Sequence, residues 1–448
     1  MPQSLVIEQF VPQTTVTFYY GGQQNTVSSV DDDLILWTTQ RTTSGQPGQW
    51  TVTLTDRFVQ GHSWAQEIPR MAYVEIRAGN TAQRPLPIRM RGFVTSPTRS
   101  WTIGQTGGPS RNIVIAGEDY TALFYNYSVQ YLWQMMTKGS QKEMAVLSFG
   151  LSYNYGLPMT SLQPRQFLEA LLQHIFLNPA KGYLPHLQAA MSSAIPGIAV
   201  HCTVPNAVKL PTTTIQSWQG PLWDLLSYFA TAPLTEFFIF DDVEEPVLTF
   251  RIPPFYDMDR PNTLATPAVA PYLDAVTLDP AQVSGSHLGF SSQEVLNFFL
   301  TWPDNTGSSV LPTGMVNFLK AGKNPLVDTA SMDVFGYRPL TVTTPLVGLS
   351  PTQGSLTQLQ ALAEEFTAYL YATQHQNQDL ASGTITVHGQ PEWIPGRYLD
   401  IPDVGRYYLQ GVSEQFQAVG AASPSWLATL SVVRGQVSSL DVVPDLGG

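Results

Sequence analysis

Few residues of this chain are of a type and spacing that could do chemistry. His201 stands beside Cys202, the single cysteine, and a thiol next to an imidazole is the raw material of an activated nucleophile. Neighbouring residues of a strand point to opposite faces, so the two cannot meet in a catalytic geometry. A free cysteine is commonly simply buried, and a structural pair is expected. One cysteine also excludes an intramolecular disulfide and any zinc site built on two or more thiolates. Acidic clusters occur at Asp31-Asp32-Asp33 and Asp241-Asp242-Val243-Glu244-Glu245. Paired carboxylates could serve a glycosidase or a calcium ion, but both clusters lack the spaced ligands and glycine of a calcium loop, and solvated turns are expected. The stretch 104–110, GQTGGPS, has no Lys-Ser/Thr end and no strand-loop-helix setting, so it reads as a hairpin loop and not a phosphate cradle. The seven histidines show no metal-ligand spacing. Trp218, Trp223, Phe229, Phe237 and Phe238 could form a sugar platform, yet their helix and strand periods assign them to packing. No catalytic residue, cofactor or metal site is expected, and the chain reads as a non-enzyme.

The elements that hold these residues follow from periodicity. Across 4–115 short alternating runs are separated by turn residues, as in an antiparallel barrel or sandwich. Trp50, Val52 and Leu54 alternate with threonines, and Ala72, Val74 and Ile76 with Tyr73, Glu75 and Arg77, so each run should bury one face and wet the other. Gly21-Gly22, Gly45, Gly48 and Gly107-Gly108 mark reversals. After Gly117 the period changes: Asp119 is placed to cap a helix with Tyr120, Leu123, Phe124, Tyr127 and Tyr131 on one face. A second helix starts near Pro164 with Phe167, Leu168, Leu171, Leu172 and Ile175 inward. A third opens at Pro221 with Leu222, Leu225, Leu226 and Phe229 inward, and Trp223, Leu226 and Phe229 are assigned to the core. Strand character returns at 237–240 and 247–252, and the Pro-rich 253–271 reads as an extended crossover. Ser350-Pro351 opens a last long helix burying Leu359, Leu362, Ala363, Phe366 and Leu370. Strands at 384–387, 407–412 and 427–433 close a second β domain, and no repeat is visible at the level of residues.

The expected fold class is α+β and β-rich, with two antiparallel β-barrel-like domains and intervening helical and mixed segments. The first barrel occupies 1–117 and a helical segment 118–235. The second, discontinuous barrel takes 236–310 plus 380–437, an α/β insert with the long helix 311–379, and a flexible tail 438–448. A length of 448 residues suits roughly two to four domains. With 43% hydrophobic residues the composition is globular, and no segment approaches the roughly 20 apolar residues of a membrane span, so no stable membrane insertion is expected. The start, MPQSLVIEQFVPQTT, lacks a basic region before an apolar core, and folding in the cytoplasm is expected. Charged residues make up only 12%, about half the usual share. Such a chain is either an ordinary acidic protein with a weakly charged surface or a subunit largely covered by its neighbours, and a net charge of -12 disfavours tight binding to phosphate backbones.

Several segments together are similar to one family. Gly220-Pro221-Leu222-Trp223-Asp224-Leu225-Leu226, then Ala232-Pro233-Leu234-Thr235-Glu236-Phe237-Phe238, then Phe250-Arg251-Ile252-Pro253-Pro254-Phe255 resembles the baseplate hub proteins of tailed bacteriophages. Further pieces fall in the family's order along the chain: Ala116-Gly117-Glu118-Asp119-Tyr120, Glu294-Val295-Leu296-Asn297-Phe298-Phe299, Tyr337-Arg338-Pro339-Leu340, and a C-terminal set of Gly383-Thr384-Ile385-Thr386-Val387, Gly389 to Gly396, Tyr407-Tyr408-Leu409-Gln410-Gly411-Val412 and Val433-Arg434-Gly435. The resemblance covers about 110–435 and singles out Arg251, Arg338, Gly396, Arg434 and Gly435. It implies a non-catalytic homotrimer in the tail baseplate of a virion, assembled in the host cytoplasm. Two barrels per chain would form a ring of pseudo-sixfold symmetry between a hexameric tail tube, or its initiator, and a trimeric central spike. Tape measure and baseplate wedge proteins would be further neighbours, and DNA would pass only in transit. The two β domains, one before Gly117 and one at 237–252 plus 384–433, should then share a fold and alternate around a neutral or acidic channel. Two other readings stand beside it: a carbohydrate-binding or carbohydrate-cleaving tail-tip protein, and the hub of a phage-like contractile secretion machine.

Overall fold

The computed structural model describes residues 11–437 apart from 31–32, 57–63, 81–84, 104–108, 130–162, 180–181, 206, 211–214, 216–217, 242–244, 261–262, 266–274, 292–293, 305–318, 348–355, 376, 403 and 419–423. In chain order the strands are β1 (Pro12–Tyr20), β2 (Gln23–Ser28), β3 (Leu34–Thr42), β4 (Gln49–Thr55), β5 (Tyr73–Asn80), β6 (Ile88–Ile103), β7 (Pro109–Glu118), β8 (Ser128–Val129), β9 (Ala199–Cys202) and β10 (Gly220–Pro221). They continue with β11 (Glu236–Asp241), β12 (Pro246–Arg251), β13 (Ala275–Thr277), β14 (Val283–Gly289), β15 (Phe298–Pro303), β16 (Leu326–Val327) and β17 (Pro339–Thr344). The last are β18 (Ala381–His388), β19 (Tyr398–Ile401), β20 (Gly405–Gln417) and β21 (Ser425–Val437).

One sheet of 13 strands dominates, in the order β14-β18-β21-β20-β3-β4-β7-β6-β5-β1-β2, with β19 and β13 attached beside β20. Its wall alternates as period-two sequences demand. Trp50, Val52 and Leu54 are buried while Thr51, Thr53 and Thr55 lie on the other face. The sheet covers two separate cores. Trp37, Trp50, Val52, Leu54, Ile113 and Ile115 belong to the first, and Ile385, Val387, Trp393, Leu399, Leu409 and Leu430 to the second.

The two units repeat one connectivity. Counting four long strands along the chain in each, the order across the sheet is first, second, fourth, third: β3-β4-β7-β6 and β14-β18-β21-β20. In each a further strand between the second and third attaches to the third, β5 on β6 and β19 on β20. Two irregularities also coincide, one in the first hairpin and one in the last. The first hairpin slips between Leu34↔Leu54 and Leu36↔Thr53 in one unit, and between Val283↔Val387 and Gly285↔Thr386 in the other. The last hairpin slips between Val94↔Gly117 and Ser96↔Ala116, and between Leu409↔Val432 and Gly411↔Ser431. β-bulges re-aim a strand and mark position within a fold, so two coincident bulges fix the correspondence residue by residue. Thr51-Val52-Thr53-Leu54 corresponds to Thr384-Ile385-Thr386-Val387, a repeat of pattern and not of identity.

A third core joins the helices to the smaller sheets. Helices Thr121–Asn126, Pro164–Leu171 (continued as a π-helical turn, Leu172–Phe176), Tyr183–Ala190, Leu222–Tyr228 and Leu356–Gln374 bring Phe124, Phe167, Phe176, Leu226 and Phe366 together.

Several expectations are corrected. Strands β11 and β12 do not join the second barrel; they pair with β9 in a sheet of their own. Both are buried at every residue, and such runs belong in a sheet covered on both faces, not in a wall with one wet face. Likewise β15 lies between β16 and β17, under the long helix. In β5 Tyr73 and Glu75 are buried as well as Val74 and Ile76, because the helical core packs on the face that alternation leaves for water. The helix after Asp119 stops at Asn126; Tyr127 is extended and its carbonyl accepts from the Leu222 amide at 2.9 Å. Tyr131, the opening Ser350-Pro351 and the tail 438–448 lie outside the described residues.

Candidate functional site at the joint between the two β units

The two units meet where β20 pairs antiparallel with β3, from Gly411↔Thr42 to Gln417↔Leu36. On the inner side of this joint Glu414 of the second unit is held by three side chains of the first. Its carboxylate accepts from Arg41 Nη2 at 3.3 Å, from Thr39 Oγ1 at 3.3 Å and from Arg89 Nε at 3.1 Å. Arg89 also donates to the carbonyls of Pro391 at 2.6 Å and Trp393 at 3.0 Å, and its guanidinium lies over the Trp426 ring. Burial pushes the Arg41 guanidinium below its ordinary range, aided by the neighbouring Arg89 charge and opposed by Glu414. A carboxylate between two guanidiniums, taken out of water, adds little net stability but is costly to break.

A second buried network ties the β11–β12 sheet to the second unit. Arg251 Nε donates to Glu236 at 2.5 Å, and Nη2 donates to the Gly396 carbonyl at 2.8 Å and to Tyr408 Oη at 3.0 Å. Tyr408 donates in turn to Glu236 at 2.7 Å. Burial works to lower the Arg251 pKa, but Tyr408 and Glu236 outweigh it and raise it. Gly396 sits at φ +88°, where a Cβ would stand 2.6 Å from Arg251 Nη2, so glycine is required on both counts. Beyond Tyr408, Phe255 contacts that ring edge-on and carries the Arg434 guanidinium 4.3 Å above its own. Arg434 also donates to the Thr373 carbonyl, and burial pushes its pKa down to about 10.

Of the residues singled out from the sequence, Arg251 and Gly396 are in direct contact, with Arg434 one ring away. Gly435 lies under Tyr407, with no room for a Cβ. Trp223, Leu226 and Phe229 are buried in the helical core. Trp223 packs 5.0 Å from Phe237 and donates from Nε1 to the Gly45 carbonyl at 3.0 Å, pinning its helix to the β3–β4 hairpin. Arg338 stands apart: its side chain is exposed, while its amide donates to Asn297 Oδ1 at 2.8 Å. His201 and Cys202 lie side by side on β9, and burial pushes the thiol up to about 11, which keeps it protonated at neutral pH. Asp241 is not part of a solvated turn. It is buried and accepts from the Arg91 amide at 3.1 Å, and burial raises its pKa despite Arg91 and Arg41 nearby. Asp31, Asp32, 242–244 and 104–108 lie outside the described residues.

The sequence reading missed Glu414, Arg41 and Arg89, and held Tyr408 only as part of a resembling segment. A signal was present: Glu414 is in phase with Val412 and Phe416, and Arg41 with Trp37 and Thr39, so each charge falls on an inward position of its strand.

Among the described residues no group of three His, Cys, Asp or Glu is placed to hold a metal ion, and no helix is long and apolar enough to cross a membrane. No protein-family model and no curated protein matches the sequence. Solved structures do match. The prophage MuSo2 43 kDa tail protein from Shewanella oneidensis aligns over 94% of this chain and 96% of its own at 13% identity and a TM-score of 0.45. A component of the E. coli type VI secretion system, described as similar to T4 bacteriophage tail proteins, aligns over 91% and 76% at 12% identity and a TM-score of 0.44. The tail protein from Neisseria meningitidis MC58 aligns over 94% of this chain and 96% of its own at 10% identity and a TM-score of 0.50. Over nearly its whole length, then, the chain has the fold of that Neisseria tail protein.

Proposed function

We propose that this chain is the structural hub of a phage-type tail. Three copies close into a ring of six equivalent β units that adapts a hexameric tube to a trimeric spike around an exit channel, without catalysis. The internal repeat carries this reading. A closed ring needs equivalent contacts around its axis, and a chain bearing two units of one connectivity, side by side in one sheet, lets three copies present six such contacts. The fold shared with a tail protein agrees with it.

Two surface features support the same reading. The open face of the wall carries Thr38, Gln40, Thr51, Thr53, Thr384, Thr386, Ser413, Gln415 and Thr429. A face of hydroxyls and amides offers passing phosphates no fixed cations to bind. Away from the wall, Val334, Phe335 and Tyr337 are exposed on and beside the short helix Thr329–Phe335. An apolar knob of this kind suits contact with a neighbouring tail protein.

Sedimentation and negative-stain microscopy test the proposal. A three-copy ring with six lobes is expected, which docks onto rings of the hexameric tube protein encoded beside it. A chain that stays a single folded copy at every concentration, with or without that tube protein, overturns it.

A further inference from the structure

Resting on the ring proposed above, we infer how the copies join: the outer edge of β6 in one copy pairs antiparallel with β14 of the next, with Ser100 opposite His287 and Thr98 opposite Gly289. Both edges are open among the described residues. Beyond Val94, whose backbone still bonds Met71 and Ala72 ahead of β5, β6 is paired only with β7, and β14 is paired only with β18. An open strand edge is a template for another strand, and within 95–103 the single charge, Arg99, is drawn to Asp56 at 3.7 Å. Thr95, Ser96 and Thr98 on one edge and Ser284, Gly285, Ser286 and His287 on the other are exposed.

The joint inside the chain dictates the joint between chains. Within the chain the third strand of the second unit, β20, pairs with the first strand of the first unit, β3. Repeating that contact around a ring requires the third strand of the first unit, β6, to meet the first strand of the second unit, β14. Direction agrees: all seven pairings from β14 to β6 are antiparallel. The end strands of this eight-strand run therefore point oppositely, and rotation about the ring axis leaves that unchanged. The other open edge, β2, points the same way as β14 and would pair with it parallel.

The coincident bulges supply the register. They place Ser96 where the second unit has Gly411, and Gly285 where the first has Leu36. Carrying Gln415↔Thr38 and Ser413↔Gln40 across gives Ser100 opposite His287 and Thr98 opposite Gly289. In the same register Phe290, an exposed aromatic, falls opposite Pro97. The chemistry of the two joints differs. Arg99 and Phe290 stand where Glu414 and Arg41 stand, so the buried carboxylate between guanidiniums is confined to the intrachain joint, and association desolvates no such cluster.

Opposed residues of an antiparallel pair bring their Cα atoms to about 4.5–5.5 Å, within disulfide reach. With Cys202→Ser as background, Ser100→Cys with His287→Cys, and separately Trp101→Cys with Ser286→Cys, cover both the narrow and the wide type of pair. At least one should give, on mild oxidation, linked species of two and three chains and none larger. Ser96→Cys with His287→Cys, out of register, and Thr26→Cys with His287→Cys, which probes β2, should give none. Hydrogen exchange on the wild-type chain reads the same contact without substitution: amides of 95, 96, 98–100 and 284–288 should, where they face the new partner strand, slow by at least tenfold in the ring relative to dilute single copies. A three-copy ring without these cross-links and without that protection overturns the edge pairing and leaves the hub reading standing. Cross-links through β2 do the same. A wild-type chain that never leaves the single-copy state overturns both.

Discussion

At the scale of the residue, the buried charges respond most to change. Arg251→Met leaves Glu236 buried beside Tyr408 without its cation, and should cost about 3–5 kcal/mol by urea denaturation at unchanged slope. Replacing Glu236 by Leu in the same chain should recover part of that loss, because the charge left behind is the penalty. Gly396→Ala puts a methyl against Arg251 at a positive φ, and a smaller loss of about 1–3 kcal/mol is expected in the same measurement. Asp119 gives a pH signature. Its carboxylate accepts from the amides of Gly48 at 3.0 Å and Thr121 at 2.8 Å, but burial outweighs those bonds and pushes it up to about 7. Its folded pKa lies above the unfolded one, so the folded chain keeps a proton that the unfolded chain releases between about pH 4 and 7. Stability from this group falls as pH rises through that window and is level above it, by up to about 4 kcal/mol. Asp119→Asn should flatten that part of the stability-pH profile; an unchanged slope would place the proton elsewhere.

At the scale of the element, the helix Leu222–Tyr228 is held less by its seven residues than by what it presses on. So short a helix is not stable alone in water. Its first turn has no side-chain cap, so Trp223, between Phe124 and Phe237 and bonded to Gly45, does the anchoring. Trp223→Ala should lower stability by about 3–5 kcal/mol, with a melting temperature several degrees lower. Trp223→Phe, which keeps most of the packing and loses the bond to Gly45, should cost less. Both helix and apolar face were legible from the spacing of Leu222, Leu225, Leu226 and Phe229. The sheet of β11 and β12 was not placed correctly, because a run buried on both faces has no alternation to say which layer it enters.

At the scale of the whole molecule, the two β units have distinct cores, the first taking in Phe416 and Trp426 of the second unit, and one hydrogen-bonded wall, sealed by Glu414 between Arg41 and Arg89. They should unfold together. Hydrogen exchange of the amides in β3 and β20 should report one free energy, equal to that of the central strands β4 and β21. Two separate transitions would mean that the joint is a hinge. Glu414→Ala, which strands two buried guanidiniums, should split the transition and let the units exchange independently.

The sequence by itself determined the class of the protein: alternating runs that must bury one face, helices with apolar stripes, and a composition with one thiol and few charges. These are local properties, set by side-chain period and composition, and they survive translation into any tertiary context. The repeat of the two units, the joint between them and the buried charges that seal it were decided only in the folded chain. Pattern and connectivity repeat while identities do not, because a barrel wall constrains which face a residue occupies far more than what it is. The pairing of residue 41 with residue 414 depends on strands distant in sequence meeting edge to edge, and no local period records which edge meets which.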